Sequence, residues 1–548
     1  MSAFLFAFCL FFRFIDRNTY QKDKEMRSAQ IRRHLGALNK RLPQTASAKG
    51  LLGSAKMLSA EAISPTAQSQ TVPFNLEFSP RDYITYLLSI DAEIEHCLMV
   101  QYLYGAYSLG GPQVPEIYRD VVRDWQEVIL GIAKEEMGHL ISVQNSLRLI
   151  GSPLHLERED YPWDVPFYPF PFALEPLTLD SLAKYVYAES PVDWDGGALG
   201  DEIRARVHAQ TDDPHQVSEL FNTLIPLVQD PDYLPDNAFQ ANTYPAQANW
   251  AEWGRGYQGG QRGNSSGQPR QTPDVLVVPQ TCRDDMVSAL ESIAYQGEAT
   301  TGSTKSHFVR FLLIYIEMRE LLTQNSLTDT EWHAARPADY TADGWLALRP
   351  LSKASLLKGN FVPWSPARKV AINPYVSLDP ALEPEYSGMP STRITHPESV
   401  LWAQLQNVRY RMLLTYLIHS FTLYGGLNAA GVITPRGAIV NGTFGEMYNL
   451  RALSEILMQL PVSANDPNAG FAGPPFQMPY TLNSPFGEAN RWRAHLDLLD
   501  AADGLVQALL AITPPSRHVY LNAMREADQS MRTLALRILS GSIDTALI

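Results

Sequence analysis

The chain has 548 residues, 45% of them hydrophobic and 19% charged, which is enough apolar material for a packed core and excludes wholesale disorder. Its formal net charge of -14 argues against the concentrated basic face that nucleic-acid binding needs. Three cysteines, Cys9, Cys97 and Cys282, lie far apart without C-x-x-C spacing; they exclude a disulfide framework and predict a reducing, cytoplasmic setting.

The charge is uneven. Residues 1–50 carry ten Lys or Arg against three Asp or Glu, a balance of +7 that leaves the rest at -21. The apolar run Ala3 to Phe12 is only half the roughly 20 residues that a membrane-spanning helix takes. No longer apolar run follows, so no membrane span is expected. The basic, acid-poor stretch to Lys49 has a transit-peptide composition, while translation from Met26 would place residues 1–25 outside the protein. Residues 1–76 therefore read as a basic, low-complexity N-terminal segment.

Order is expected to begin at Ser79-Pro80, an N-cap followed by proline at the first helical position. A first helix runs to about Ser108, where Gly110-Gly111-Pro112 stops it. A second runs from about Pro115 to Ile150, breaks before Val121, and ends at Gly151-Ser152-Pro153. The proline- and aromatic-rich stretch Tyr161 to Pro176 cannot continue a helix. It either packs over the core or walls a pocket. Short helices are predicted at about 179–189 and 199–228, and a Gly/Gln/Ser-rich surface loop at 254–272. A third long helix is expected from about Arg283 to Glu298 and a fourth from about Ser306 to Gln324; their short polar connection predicts that they are neighbours. A Pro-rich crossing occupies 326–394. Helices resume in "PESVLWAQLQNVRYRMLLTYLIHSFTLYGG" and at about 444–460, 486–513 and 515–540, forming a C-terminal helical domain over 395–548. No repeat and no sustained strand alternation occurs, so the fold class is mostly α.

Four of these helices carry an acid or a histidine among apolar neighbours. Glu95 lies in "DAEIEHCLMVQYLYGAY", Glu136 and His139 in "IAKEEMGHLISVQNSLRLIG", Glu298 at the end of "ALESIAYQGEA", and His307 at the start of "SHFVRFLLIYIEM". Residues three apart on a helix share a side, with about 5–6 Å between their Cβ atoms. Glu136 and His139 can therefore offer a carboxylate and an imidazole to one divalent first-row metal. A buried, unpaired carboxylate must find a cation or give up its charge, and a carboxylate cluster around metal ions meets that demand. A single E-x-x-H also arises on solvated faces, so spacing alone leaves both readings open. Glu135 is expected to be exposed and dispensable for metal retention. His96, one residue past Glu95, is expected to point elsewhere. Tyr102, Tyr104 and Tyr295 read as core tyrosines near the ligands, and His208, His215 and His419 as isolated histidines.

The blocks "EIEHCLMVQYLYGAYSL", "KEEMGHLISVQNSLRLIGSPLHL", "YPFPFALEPLTLDSLAKYVYAESP" and "IAYQGEATTGSTKSHFVRFLLI" occur in an order that resembles one known family. This is the ferritin-like domain of the iminophenylpyruvate dimer synthase type, found in violacein, rebeccamycin and staurosporine pathway enzymes. The resemblance covers about 77–325, and "AGPPFQMPY" near Ala472 extends it into the C-terminal half. It implies a ferritin-like four-helix bundle at 77–325 with a long Pro/aromatic-rich insertion. It also implies a metal set of Glu95, Glu136, His139, Glu298 and His307. One departure stands out: the fourth helix lacks a glutamate three residues before His307, position 304 being Thr. That leaves one ion or two open. The family's pathway synthases are also longer than this chain.

The resemblance implies a non-haem iron oxidoreductase that activates O2 or a peroxide on a small, amino-acid-derived aromatic substrate in specialised metabolism. A divalent metal other than iron remains compatible with the ligands, as does a homo-oligomer or a pathway-enzyme partner. The alternative is a non-catalytic ferritin-like binding or scaffold protein.

Overall fold

A computed structural model describes residues 78–253, 275–298, 305–349, 362–377, 389–429, 432–478 and 482–542. The expectations for 1–76, for the Gly-rich stretch 254–272 and for Thr304 lie outside these residues, as does Cys9. Among the described residues Cys97 is buried and Cys282 exposed, both as free thiols.

Local rules place the first two helices where the sequence puts them. Helix α1 spans Pro80–Ser108, and the Ser79 hydroxyl accepts from the Asp82 amide at 3.2 Å. A single 3-10 turn, Glu116–Tyr118, leads into α2, Arg119–Leu149. Gly151 follows with φ +69°, a left-handed conformation that glycine adopts without steric cost. Next come α3 (Leu179–Glu189), α4 (Gly197–His208) and α5 (Ser218–Gln229), so the expected helix 199–228 is two. A short turn α6 (Trp250–Trp253) precedes α7 (Arg283–Glu298) and α8 (His307–Thr323). Two short helices, α9 (Asp329–Ala334) and α10 (Ala342–Ala347), open the crossing.

The helices at Arg283–Glu298 and His307–Thr323 touch, as their short connection leads one to expect, but each has a larger partner elsewhere. α1 packs along α2, and α8 packs chiefly on α3, whereas α7 packs chiefly on α5. The short helix at Leu179–Glu189 thus packs on α8, while α7 also touches α2 and α8. Aromatic rings join the two pairs: Tyr102 of α1 meets Tyr185 of α3 and Phe311 of α8, each with centroids 4.8 Å apart. The Pro/aromatic stretch packs inward. Phe167, Tyr168, Phe170 and Phe172 are all buried, and Tyr161 donates to the Cys97 carbonyl at 2.7 Å on α1.

Helix α2 carries four buried polar residues within five positions, Ser142, Gln144, Asn145 and Ser146. Their partners explain them. Gln144 is held by the His155 backbone, and the extended segment 275–280 crosses α2 and bonds to Ser142, Asn145 and Ser146. Ser142 Oγ donates to Leu276 O (2.9 Å) and accepts from Val278 N (3.1 Å), while Asn145 Nδ2 donates to Val278 O (2.9 Å). A Cβ on Gly138 would sit 2.8 Å from Leu276 O and 2.9 Å from Leu276 N. The crossing backbone thus requires a residue without a side chain one position before His139. Gly138→Ala is expected to cost about 1–3 kcal/mol by overpacking, although alanine is the better helix former. Chemical denaturation of the full chain measures it.

The C-terminal half contains α11 (Pro397–Ser420), α12 (Pro435–Leu457), α13 (Glu488–Ile512) and α14 (Pro515–Leu539). Their core is built on Trp402, Leu453, Trp492, Leu499, Leu509 and Met524. Strand structure among the described residues is slight: β1 (Pro374–Tyr375) pairs in parallel with β2 (Thr392–Arg393), and β3 (Asn428–Ala429) antiparallel with β4 (Val432–Ile433). The segment around 366–373 laces the halves together. Its backbone amides donate to Ser108 O, Phe471 O and Leu174 O, each at 2.8 Å. No described helix is long and apolar enough to cross a membrane.

Candidate metal centre

Four of the five residues singled out in the sequence have described side chains, and all four converge in the interior where α1, α2, α3 and α8 meet. Glu95 comes from the middle of α1, Glu136 and His139 from one turn of α2, and His307 from the first residue of α8. The side chain of Glu298 lies outside the described residues. A fifth member joins from α3: Glu189, its last residue. These side chains form two triads that could each hold a metal ion, Glu95–Glu136–His139 and Glu136–Glu189–His307, and Glu136 belongs to both.

The geometry assigns the protons. His139 Nε2 lies 2.8 Å from Gln296 Oε1, and His307 Nε2 lies 3.0 Å from Glu135 Oε2. Amide and carboxylate oxygens can only accept, so each Nε2 carries a hydrogen. In the neutral rings each Nδ1 is then a bare lone pair. His139 Nδ1 faces Glu136 Oε2 at 2.9 Å and Glu95 Oε2 at 3.3 Å. His307 Nδ1 faces Glu136 Oε1 at 2.8 Å and Glu189 Oε2 at 3.7 Å. Glu136 Oε1 and His307 Nδ1 are that close, yet neither has a hydrogen-bond partner. Lone pairs converging on lone pairs in a buried interior call for a positive charge between them, which a proton on each imidazole or a metal ion in each triad can supply. The residues present fit a divalent metal in each triad, with imidazole tautomers held from behind as metal-bound histidines are.

Ionisation follows the same logic. Burial opposes charge on His139, but Glu95 and Glu136 push its pKa up to about 10. Burial likewise opposes charge on His307, and Glu136 leads the groups that hold it well above the usual histidine range. Burial works against the Glu136 carboxylate, yet His307 and His139 hold it well below its ordinary value. Burial raises Glu95 and Glu189, with Glu136 adding to the rise in both. The cluster recruits positive charge wherever it can, which is the property of a site built around cations.

Three residues that support the centre escaped the sequence reading. Glu189 was hidden in a short helix read as a connector; its signal was an acid closing the apolar run "LAKYVYAE". Gln296 lies two residues before the acid expected to ligate. Glu135, expected on the surface, is 1% exposed. It is paired with Arg310 and holds His307, because α8 covers a face of α2 that sequence periodicity left to solvent. Tyr102 donates to Glu189 Oε1 at 2.6 Å and so faces the cluster from α1. Tyr104 is buried, whereas Tyr295 is 46% exposed and is not a core tyrosine. His96 points away, as expected, to the Tyr410 hydroxyl of α11. His419 is not isolated: its Nδ1 lies 2.6 Å from His495 Nε2 and its Nε2 3.0 Å from Glu488 Oε1.

Beside the cluster, Leu98, Val217, Phe221, Ile293 and Ala294 wall a cavity of about 20 Å³. That is room for a water-sized guest and too little for an aromatic ring. Helices α5 and α7 supply most of this cover. The aromatic stretch Tyr161–Phe172 contributes nothing to it.

Residues 88–316 match the ferritin-like family model. A dichlorochromopyrrolate synthase from Lentzea aerocolonigenes is 25% identical over 458 residues, which take in 77% of this chain and 39% of that protein. The chain thus spans well under half the length of the curated relative it matches. No solved structure matches it.

Proposed function

From the premise that residues 88–316 of this chain form a ferritin-like domain, we propose that the protein is a metal-dependent biosynthetic oxidoreductase. Non-haem iron is the metal that fits the proposal, with two ions per chain held by Glu95, Glu136, His139, Glu189 and His307. The observation that carries this reading is Glu136, which presents one oxygen to each of two imidazole lone pairs. Bound iron would supply redox chemistry toward O2 or a peroxide. The substrate class is a small, amino-acid-derived aromatic molecule, a reading supported by the similarity to dichlorochromopyrrolate synthase. On this proposal the bundle spans 77–325, a crossing spans 326–394, and 395–548 is a C-terminal helical domain.

The chain's own residues do four things there. Glu136 sets the spacing of the two ligand groups. Gln296 and Glu135 keep hydrogens on both Nε2 atoms, leaving both Nδ1 atoms free to ligate. The Tyr102 hydroxyl orients Glu189. The apolar wall of Leu98, Val217, Phe221 and Ile293 keeps bulk water from the cluster.

The test is metal content and oxygen reactivity of the full chain purified from iron-supplemented cells. Two irons per chain and O2 uptake are expected; a well-folded, metal-free chain overturns the proposal and favours a binding or scaffold role. Glu135 supplies a second check. Glu135→Ala releases His307 Nε2 and strands Arg310, so metal affinity is expected to fall about 10–100-fold, measured by competition with a chelator.

A further inference from the structure

One buried acid beside the cluster has no place in either triad. Asp91 lies four residues before Glu95 on α1, so the two project from one face of the helix. It is 0% exposed, and neither of its carboxylate oxygens has a hydrogen-bond partner. No lysine or arginine pairs with it among the described residues. Burial pushes its pKa up to about 8, with His139 favouring the ionised form and Glu136 opposing it, so without a cation beside it the group tends to hold its proton. A carboxylate in such surroundings is stable only beside a cation or without its charge.

The charge count of the centre shows what it is for. Among the described side chains the two triads contain three carboxylates, and Glu135 is neutralised by Arg310. Two divalent ions bring four positive charges against three negative ones, an excess that a buried site retains poorly. We propose that Asp91 is a further carboxylate of the centre, helping to balance its charge so that two divalent cations are held. The inference rests on the metal-binding reading above. Asp91 acts on the ions through the field of the site and through Glu95 and His139. It is a positioning residue, and its loss is expected to weaken the pair of ions more than the fold.

The experiment is Mn2+ binding to the full chain and to its Asp91→Asn and Asp91→Glu variants, followed by titration calorimetry and electron paramagnetic resonance. Wild-type chain is expected to take up two ions that share Glu136 and give a spin-coupled spectrum. Asp91→Asn, equal in shape but uncharged, is expected to weaken one ion about 10–100-fold and to leave an isolated-ion spectrum. Its metal-free form is expected to melt no lower than wild type, because a buried uncompensated anion has been removed. Asp91→Glu, which restores the charge, is expected to recover the coupled pair. Unchanged two-ion binding by Asp91→Asn overturns the inference alone, as does equal loss in both variants. A lower melting temperature with unaltered affinity also overturns it, since that is the mark of a purely structural residue. A wild-type chain that takes up no Mn2+ overturns the metal reading and this inference with it.

Discussion

Glu136→Ala is expected to strip the chain of both metal ions, whereas Glu95→Ala and Glu189→Ala are each expected to strip one. The difference follows from the sharing of a single side chain. Glu136 Oε2 stands 2.9 Å from His139 Nδ1, and Glu136 Oε1 stands 2.8 Å from His307 Nδ1, so each triad loses its central ligand when the carboxylate is removed. Glu95 reaches only the His139 side and Glu189 only the His307 side. The fold is expected to survive all three changes, because each removes an anion from a cluster of mutually repelling buried carboxylates. Metal per chain by elemental analysis, with circular dichroism to confirm folding, is the measurement. Equal retention in the three variants would show that the triads do not act as two centres joined at Glu136.

The largest loss of stability is expected elsewhere, at Arg436. This guanidinium, 2% exposed, sits at the start of α12 and grips Glu252 of α6, itself 3% exposed, through two bonds of 2.7 and 2.8 Å. It also donates to the carbonyls of Ser420 (2.7 Å), Leu423 (2.6 Å) and Gln247 (2.8 Å). It thereby ties the end of α11, the start of α12 and the approach to α6 into one knot. Arg436→Met would leave the Glu252 carboxylate buried and alone, and is expected to cost about 3–5 kcal/mol in urea unfolding. Adding Glu252→Leu removes the stranded charge, so the double variant is expected to recover part of that loss. Recovery stays partial because the backbone carbonyls that Arg436 held, that of Ala246 included, lose its hydrogen bonds. A single-variant cost below about 1 kcal/mol would mean that water already reaches the pair.

The Ser79-Pro80 start and the Gly151 stop depend on backbone preferences of a few adjacent residues, so they are legible in the chain itself. The convergence of Glu136 and His139 depends only on helical spacing and is equally local. The division of 199–228 into α4 and α5 was itself legible, since Pro214 after Asp212-Asp213 breaks a helix within 209–217. The place of Glu135 was not. Adjacent acids on a helix point about a quarter-turn apart, and only knowledge of what covers each face separates a ligand from its support.

The sequence by itself determined the helical class, the main helix ends and the acids and imidazoles available to a metal, because these rest on short-range sterics and on residue chemistry. Only the tertiary structure decided that α3 packs on α8, that Glu189 enters the cluster, and that Glu135, Gln296 and Asp91 lie behind it. Those outcomes depend on which apolar faces meet across tens to hundreds of residues. A buried charge acquires its role from the groups that the packed neighbour brings to it.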